Sequence, residues 1–152
     1  MKRVLIIGGS GFLGSHIADI FSQKNYQVSI FDKKKSPWLK NKQKMIISNL
    51  SNTKKLEKAI KNSDFVYHFA AMSDIGDCLN NPILSAQVNI FFTLKVLEFC
   101  TKYKIRRLVY ASTIYIHSAQ GGFYRISKQA SELYIEEYNK RFSLDYTILR
   151  FR

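Results

Sequence analysis

The sequence contains little of what several protein classes require. Its 152 residues include only two cysteines, Cys78 and Cys100. Two cysteines without metal-ligand spacing around them exclude a disulfide framework, argue against a zinc site and predict a reducing, cytoplasmic location. No apolar run approaches the roughly 18 residues that a membrane helix needs, so we expect no membrane partner. Glycines interrupt the apolar start of the chain, which argues against a signal peptide.

Acidic residues are also scarce. Aspartate and glutamate number 11 against 24 lysines and arginines, which gives a net charge of +13. Ten lysines and one acid, Glu57, lie between Lys33 and Lys61. A solvated lysine-rich face is the favoured interpretation, and steering of an anionic cofactor or substrate is the second. Nucleic acid comes last, and we expect no specific nucleic-acid partner, because no nucleic-acid-binding motif accompanies the cluster.

Short apolar segments that predict strands alternate with segments of helical spacing. The predicted strands are 4–7, 27–31, 45–47, 64–69, 108–111 and 146–149, and the predicted helices include 15–24, 56–60 and 123–142. This alternation predicts an α/β fold: a doubly wound parallel sheet with helices on both faces, in three αβα layers. Asn81 and Pro82 are typical of a helix start. In that long helix one apolar face is predicted from Ile83, Ala86, Ile90, Leu94 and Leu97.

A glycine-rich turn joins the first predicted strand to the first helix. Residues 9–14, Gly-Ser-Gly-Phe-Leu-Gly, fit the dinucleotide fingerprint in the position where it must occur. Asp32 ends the second strand, where a carboxylate accepts hydrogen bonds from the adenosine ribose hydroxyls and favours NAD over NADP. The neighbouring lysines 33–35 leave NADP as the lesser alternative. A plain strand-end turn residue is the structural alternative for Asp32.

Tyr124 and Lys128 are four residues apart, so a helix places them on one face. A phenol has a pKa of about 10, and a base at neutral pH needs a shift of roughly 3 units, worth about 4 kcal/mol. Positive charge from Lys128 and from an oxidised nicotinamide would favour the phenolate. Thr113 follows the fifth strand, where parallel sheets place their ligands, and its hydroxyl is a candidate to hold the reacting oxygen.

Taken in order, these motifs resemble the N-terminal part of the extended short-chain dehydrogenase/reductases, the NAD-dependent epimerase/dehydratase family. The resemblance covers the whole chain and rests on six segments: 8–16, the Asn49-Leu50 pair, 64–71, Asn89, 111–113 and 124–128. It implies a Rossmann domain and a sugar-nucleotide epimerase or dehydrogenase/reductase with a nucleotide-sugar substrate. A non-catalytic dinucleotide-binding module, or an inactive fragment, is the alternative.

The resemblance also implies roles for particular residues. Tyr124 would be the general base or acid on a sugar hydroxyl, Lys128 would hold the nicotinamide ribose and lower the pKa of Tyr124, and Thr113 would orient the substrate. His68 would be structural. The implied cofactor-binding residues are Gly8, Gly11, Phe12, Leu13, Gly14, Asp32, Asn49, Leu50, Phe69, Ala70, Ala71, Asn89, Tyr124 and Lys128.

Two departures from the family pattern limit these implications. Tyr115 stands where the dehydratases and decarboxylases of the family have a glutamate, which favours epimerase, dehydrogenase or reductase chemistry. Family members are about twice as long, so we expect residues 1–152 to be a truncated NAD(P)-binding domain without its substrate domain. An uncovered sixth strand would then favour a homodimer or poor solubility.

Overall fold

The computed structural model describes residues 1–152. Its strands are β1 (Arg3–Ile7), β2 (Gln27–Asp32), β3 (Gln43–Ile47), β4 (Phe65–His68), β5 (Arg107–Thr113) and β6 (Tyr146–Phe151). Its helices are α1 (Phe12–Gln23), α2 (Thr53–Lys61), α3 (Ile75–Asn80), α4 (Pro82–Ala86), α5 (Phe92–Lys102) and α6 (Gly122–Phe142). A π-helical turn, Gln87–Phe91, joins α4 to α5, and a 3₁₀ turn, Ile114–His117, follows β5. All six predicted strands are present, with ends within about two residues of the prediction.

The six strands form one parallel sheet in the order β3-β2-β1-β4-β5-β6. Alternate residues of β1 face opposite sides, as strand geometry requires. Val4 and Ile6 pack with Ala18 of α1, whereas Leu5 and Ile7 join the larger core with α2, α5 and α6. The predicted doubly wound parallel sheet is confirmed. After β1 the chain continues to β2 on one side, and after β4 it continues to β5 on the other side. Because the two connections diverge, a crevice opens at the carboxyl ends of β1 and β4.

The predicted apolar face of the long helix is wrong over its first half. Ile83 is 85% exposed and Ala86 is exposed, while Ser85 and Asn89 are buried instead. The π-helical turn explains the difference, because its wider turn shifts the faces that a constant period of 3.6 residues predicts. Asn81 lies at the start of α4, but its side chain makes no capping hydrogen bond to that helix.

The continuous helical segment Pro82–Lys102 is long and apolar enough, by length and composition alone, to cross a membrane. The expectation that no segment approaches that length is therefore wrong as stated. Of the most apolar window in this segment, 44% is buried inside the domain. The buried residues of the segment, including Val96, Leu97 and Cys100, belong to the main core. A core helix of this kind passes the same test of length and composition.

The outer edge of β6 has no partner strand within the chain. Free backbone groups along a parallel edge favour pairing with another chain, so the homodimer through this edge stays a prediction. Exposed apolar side chains on α4 and α6, among them Ile83 and Leu133, provide a second surface that favours association with another chain. Sedimentation velocity checks the prediction, and a monodisperse monomer that melts cooperatively would contradict it.

Candidate functional site

The carboxyl ends of the strands surround a cleft with a volume of about 480 Å³. This volume lies within the range of small-molecule and cofactor sites. Residues from both halves of the sheet form its walls. The predicted site residues that line the cleft are Gly8, Gly11, Phe12, Leu13, Gly14, Asp32, Asn49, Leu50, Phe69, Ala70, Ala71, Tyr124 and Lys128. The structure therefore brings together every predicted residue except Asn89 and Thr113.

The glycine turn is packed so closely that side chains are excluded at two positions. A Cβ on Gly8, whose φ is +84°, would lie 2.5 Å from the backbone nitrogen of Ala70. A Cβ on Gly14 would lie 2.4 Å from the carbonyl oxygen of Gly8. Gly11 differs, because a Cβ there would meet only the Gly8 oxygen, at 3.4 Å, and Gly11 faces the cleft. Gly8 and Gly14 thus hold the turn against the sheet, whereas Gly11 leaves space for a ligand.

Helix α1 presents its amino end to the same space. Gly11 is the residue before the helix and supplies no side-chain cap. The first intrahelical hydrogen bond runs from the Ser15 amide to the Gly11 oxygen, at 2.9 Å. The amides at the start of a helix have no intrahelical acceptor, and Phe12 and Leu13 line the cleft. Free amides and the positive end of the helix dipole suit a diphosphate, so the residues present fit a dinucleotide cofactor.

Asp32 lies beside this turn at the end of β2. One carboxylate oxygen accepts the Ser10 amide at 3.0 Å, and the other accepts the Lys34 amide at 3.2 Å. The side chain therefore holds the following loop against the glycine turn. It also lines the cleft, and each carboxylate oxygen keeps a second lone pair for a ligand hydroxyl. The structural interpretation and the ribose-binding interpretation of Asp32 are therefore compatible.

Tyr124 and Lys128 reach the cleft from α6, where burial acts on both side chains. Burial raises the pKa of Tyr124, and the nearby hydroxyl of Thr113 opposes this effect only in part. The Lys128 Nζ donates to the Ala111 carbonyl at 2.8 Å and lies 5.9 Å from the centroid of the Tyr124 ring. The ammonium is directed at β5 in this arrangement, so the expected lowering of the Tyr124 pKa by Lys128 stays a prediction.

Lys128 is itself an unusual group, since only 2% of it is exposed. Burial lowers its pKa to about 7, although the charge of Glu132 opposes the shift. Its Nζ also lies 4.7 Å from the centroid of the Tyr110 ring, an arrangement that favours the ammonium. Glu132 is buried as well, and Arg150 of β6 holds it through two hydrogen bonds of 3.1 and 2.7 Å. Near neutral pH both the charged and the neutral form of Lys128 are therefore populated.

This buried lysine predicts a pH-dependent stability. Its pKa is about 7 in the folded chain and ordinary when unfolded, so above pH 7 the unfolded state binds more protons than the native state. Stability rises with pH under that condition. We therefore expect the free energy of unfolding to rise between about pH 7 and 8.5, by at most about 1.4 kcal/mol per pH unit. Urea denaturation of the wild type and of Lys128→Met measures this, and equal slopes in the two proteins would contradict it.

The structure places Asn89 behind the wall of the cleft. Its Oδ1 accepts the Met72 amide at 2.8 Å, and its Nδ2 donates to the Met72 oxygen and to Ser127 Oγ, both at 2.9 Å. Both amide hydrogens are therefore used, and Asn89 is 1% exposed. Asn89 thus joins the segment after β4 to α6 and positions the wall, and a direct contact with the cofactor stays a prediction.

Thr113 also lies outside the lining, although it adjoins it. The residue is 3% exposed, and its Oγ1 accepts the Tyr115 amide at 3.3 Å. Thr113 lies near enough to Tyr124 for its hydroxyl to act on the pKa of the phenol. His68 is fully buried, with Nε2 3.0 Å from Thr93 Oγ1. Burial lowers its pKa to about 3, so the ring is neutral, which supports the structural role expected for it.

Ser112 is a candidate site residue that the sequence-based prediction missed. It lines the cleft, is 3% exposed, and its hydroxyl has no hydrogen-bond partner. A buried hydroxyl without a partner carries a free-energy cost that a ligand group would remove. The sequence feature that could have identified Ser112 is its position between Ala111 and Thr113, at the end of β5.

Six parallel strands in this order, with a glycine turn after β1, define a Rossmann fold. Residues 4–152 match the sequence profile of the NAD dependent epimerase/dehydratase family. The chain therefore belongs to that family.

Several proteins of known name resemble the chain. The bifunctional UDP-glucose 4-epimerase and UDP-xylose 4-epimerase 1 of Pisum sativum is 26% identical over 76% of this chain and 38% of its own length. A structure of UDP-glucose 4-epimerase from Thermotoga maritima with UDP-glucose superposes with a TM-score of 0.90 and 25% identity, covering 98% of this chain and 55% of that one. A UDP-glucose 4-epimerase complex with NAD from Thermus thermophilus gives 0.89 and 28%, covering 98% and 54%. The chain thus spans about half the length of these solved structures.

Proposed function

We propose that the chain is the cofactor domain of an NAD-dependent sugar-nucleotide epimerase or dehydrogenase/reductase. The observation that carries this proposal is one cleft that joins the glycine turn after β1 to Tyr124 and Lys128 of α6. Family membership supports it, as do similar structures solved with UDP-glucose and with NAD. A nucleotide sugar is the proposed substrate. The two buried, unpaired cysteines support a cytoplasmic location.

The cofactor would extend across the carboxyl ends of the strands. The free amides at the start of α1 would hold its diphosphate, and Asp32 would accept hydrogen bonds from the adenosine ribose hydroxyls. Asn49 and Leu50 would border the adenine, and Lys128 would contact the nicotinamide ribose. Bound NAD supplies an acceptor and donor of hydride. NADP is the lesser alternative, since its 2′-phosphate would meet the carboxylate of Asp32.

Tyr124 would move the proton that accompanies hydride transfer at a sugar hydroxyl or keto carbon. Its raised pKa keeps the phenol protonated at neutral pH, so in this state it is a proton donor. Positive charge close to the phenol oxygen lowers the pKa and would turn the same group into a base. Thr113, whose hydroxyl lies near Tyr124, would hold the reacting oxygen beside the phenol.

The wall of the cleft favours epimerase or reductase chemistry over elimination of water. Asp32 is the one carboxylate among the lining residues of this chain, and it lies at the glycine turn rather than beside Tyr124. Tyr115 belongs to the 3₁₀ turn after β5 and offers no acid of carboxylate strength. Elimination of water needs a proton donor for the departing hydroxyl, and no carboxyl group of the cleft is placed for that role.

A thermal melt with and without dinucleotide tests the cofactor site. A ligand that binds only the folded state stabilises it by about 2.7 kcal/mol at a hundredfold excess over its Kd, so NAD should raise Tm clearly and NADP less. Gly11→Val is the matched variant, because its side chain would project into the cleft, and it should abolish the shift. An NAD shift that survives in Gly11→Val, or no shift in the wild type, would refute the proposed site.

A further inference from the structure

The lysine-rich segment between Lys33 and Lys61 is almost entirely unneutralised in the structure. All ten lysines are exposed. Only Lys40 lies within ion-pair distance of a carboxylate, that of Asp19, and Glu57 of the same segment pairs with Lys102 instead. Surface lysines are usually interspersed with acids, which cancels their field within a short distance. Here the field extends into solvent.

Three of these lysines stand at the mouth of the cleft, and we name Lys33, Lys34 and Lys35 the rim lysines. Lys33 lines the cleft itself. Lys34 and Lys35 line a smaller cavity of about 280 Å³, which shares Gly11 and Asp32 with the cleft. The rim lysines therefore flank the route from solvent to the amino end of α1.

The backbone under the rim lysines is tied to the glycine turn. Ser10 Oγ donates to the Lys34 oxygen at 2.7 Å, and the Lys34 amide donates to Asp32 at 3.2 Å. The loop thus keeps three ammonium groups near the entrance while their side chains remain solvated. Asp32 subtracts one charge, so the local excess is 3 − 1 = +2 at the rim. A dinucleotide diphosphate is attracted to such a region.

We propose that the rim lysines form an electrostatic steering surface for the anionic dinucleotide. The inference rests on the proposed cofactor site and adds a kinetic role that the site residues lack. Solvated charges at an entrance accelerate association, whereas contacts in the bound complex govern dissociation. The rim lysines therefore raise the association rate constant, kon, and leave the dissociation rate constant, koff, nearly unchanged.

Stopped-flow fluorescence of NADH binding tests the proposal. Replacing all three rim lysines with glutamine should lower kon about fivefold to tenfold at low ionic strength, and the difference should disappear in concentrated salt. In the wild type, kon should depend more steeply on salt for NADH than for NAD⁺, because NADH carries one more negative charge. Because Lys33 lines the cleft, koff is compared in the double variant of Lys34 and Lys35, where it should stay within about twofold of the wild type.

The matched control removes the same charge from the opposite edge of the sheet. Lys2, Lys24 and Lys44 are exposed, unpaired and close to the amino ends of the strands. Their triple replacement with glutamine should change kon less than about twofold, because screening weakens charges beyond a Debye length. An equal fall in both triple variants would show an effect of net charge alone and overturn the proposal.

Other results separate this inference from the proposed function. If NADH binds and its kon is the same in the wild type and in the rim-lysine variant, the steering surface is overturned. The proposed cofactor site is then unaffected. No binding of NADH to the wild type overturns both. Single-stranded RNA that binds more tightly than NADH at physiological salt, and that needs the rim lysines, would assign the surface to nucleic acid instead.

Discussion

Under the proposed function, turnover of a nucleotide sugar should fall by about a thousandfold in Tyr124→Phe, because the variant lacks the hydroxyl that moves the proton. NAD affinity changes less than about twofold, since the ring still forms its part of the cleft wall and only one polar group is lost. Steady-state kinetics and the NAD-dependent shift in Tm measure the two effects. Loss of turnover together with preserved cofactor binding distinguishes a catalytic phenol from a wall residue.

The control lies on the same helix. Tyr134 is an exposed tyrosine of α6, so Tyr134→Phe removes an identical hydroxyl outside the cleft and should leave turnover unchanged. Turnover by Tyr124→Phe within about threefold of the wild type would remove Tyr124 from the mechanism. That result would favour a binding module that senses the dinucleotide without reacting with it.

Gly14→Ala lowers the free energy of unfolding by about 3 kcal/mol, at the upper end of the cost of overpacking. The new Cβ would lie 2.4 Å from the Gly8 oxygen and 2.6 Å from the Gly9 Cα. Both are backbone atoms of the turn, so neither can rotate away as a side chain would. The start of α1 must then move from β1. Urea denaturation with a constant m-value measures the loss.

The neighbouring glycine provides the contrast. Gly11→Ala should cost less than about 1 kcal/mol, because the only nearby atom is 3.4 Å from the new Cβ and the backbone there is extended at φ −78°. Its effect should instead fall on NAD affinity, since the methyl group enters the cleft. Equal destabilisation by the two substitutions would show that close packing at Gly14 is not what the turn requires.

The predictability of the site differs from residue to residue. Four positions were predictable from local geometry, which a short motif encodes. Gly8, Gly11 and Gly14 form a turn, and Asp32 lies at the end of a strand. Tyr124 and Lys128 were placed on one helical face by their spacing. The charge state of Lys128 was not predictable, because its pKa depends on burial against β5 and on Glu132, which Arg150 of β6 holds.

Asn89 and the long helix show the same limit. The motif gave Asn89 no assigned partners, whereas the structure gives its side chain three hydrogen bonds, to Met72 and Ser127. The π-helical turn Gln87–Phe91, which contains Asn89, shifts the buried face of the helix. The residue types in this turn do not indicate that the helical period changes there. Ser112 was overlooked because burial and the lack of a partner are properties of packed atoms.

By itself the sequence determined the alternation of strands and helices, the glycine turn, the acid after β2 and the Tyr124 and Lys128 pair. These features are local, since hydrophobic period, chain stiffness and spacing act within a few residues. Only the tertiary structure decided which residues line the cleft, which hydrogen bonds Asn89 makes, and how far burial lowers the pKa of Lys128. Those properties depend on desolvation and on partners distant in the chain, which exist only when the sheet and α6 are packed together.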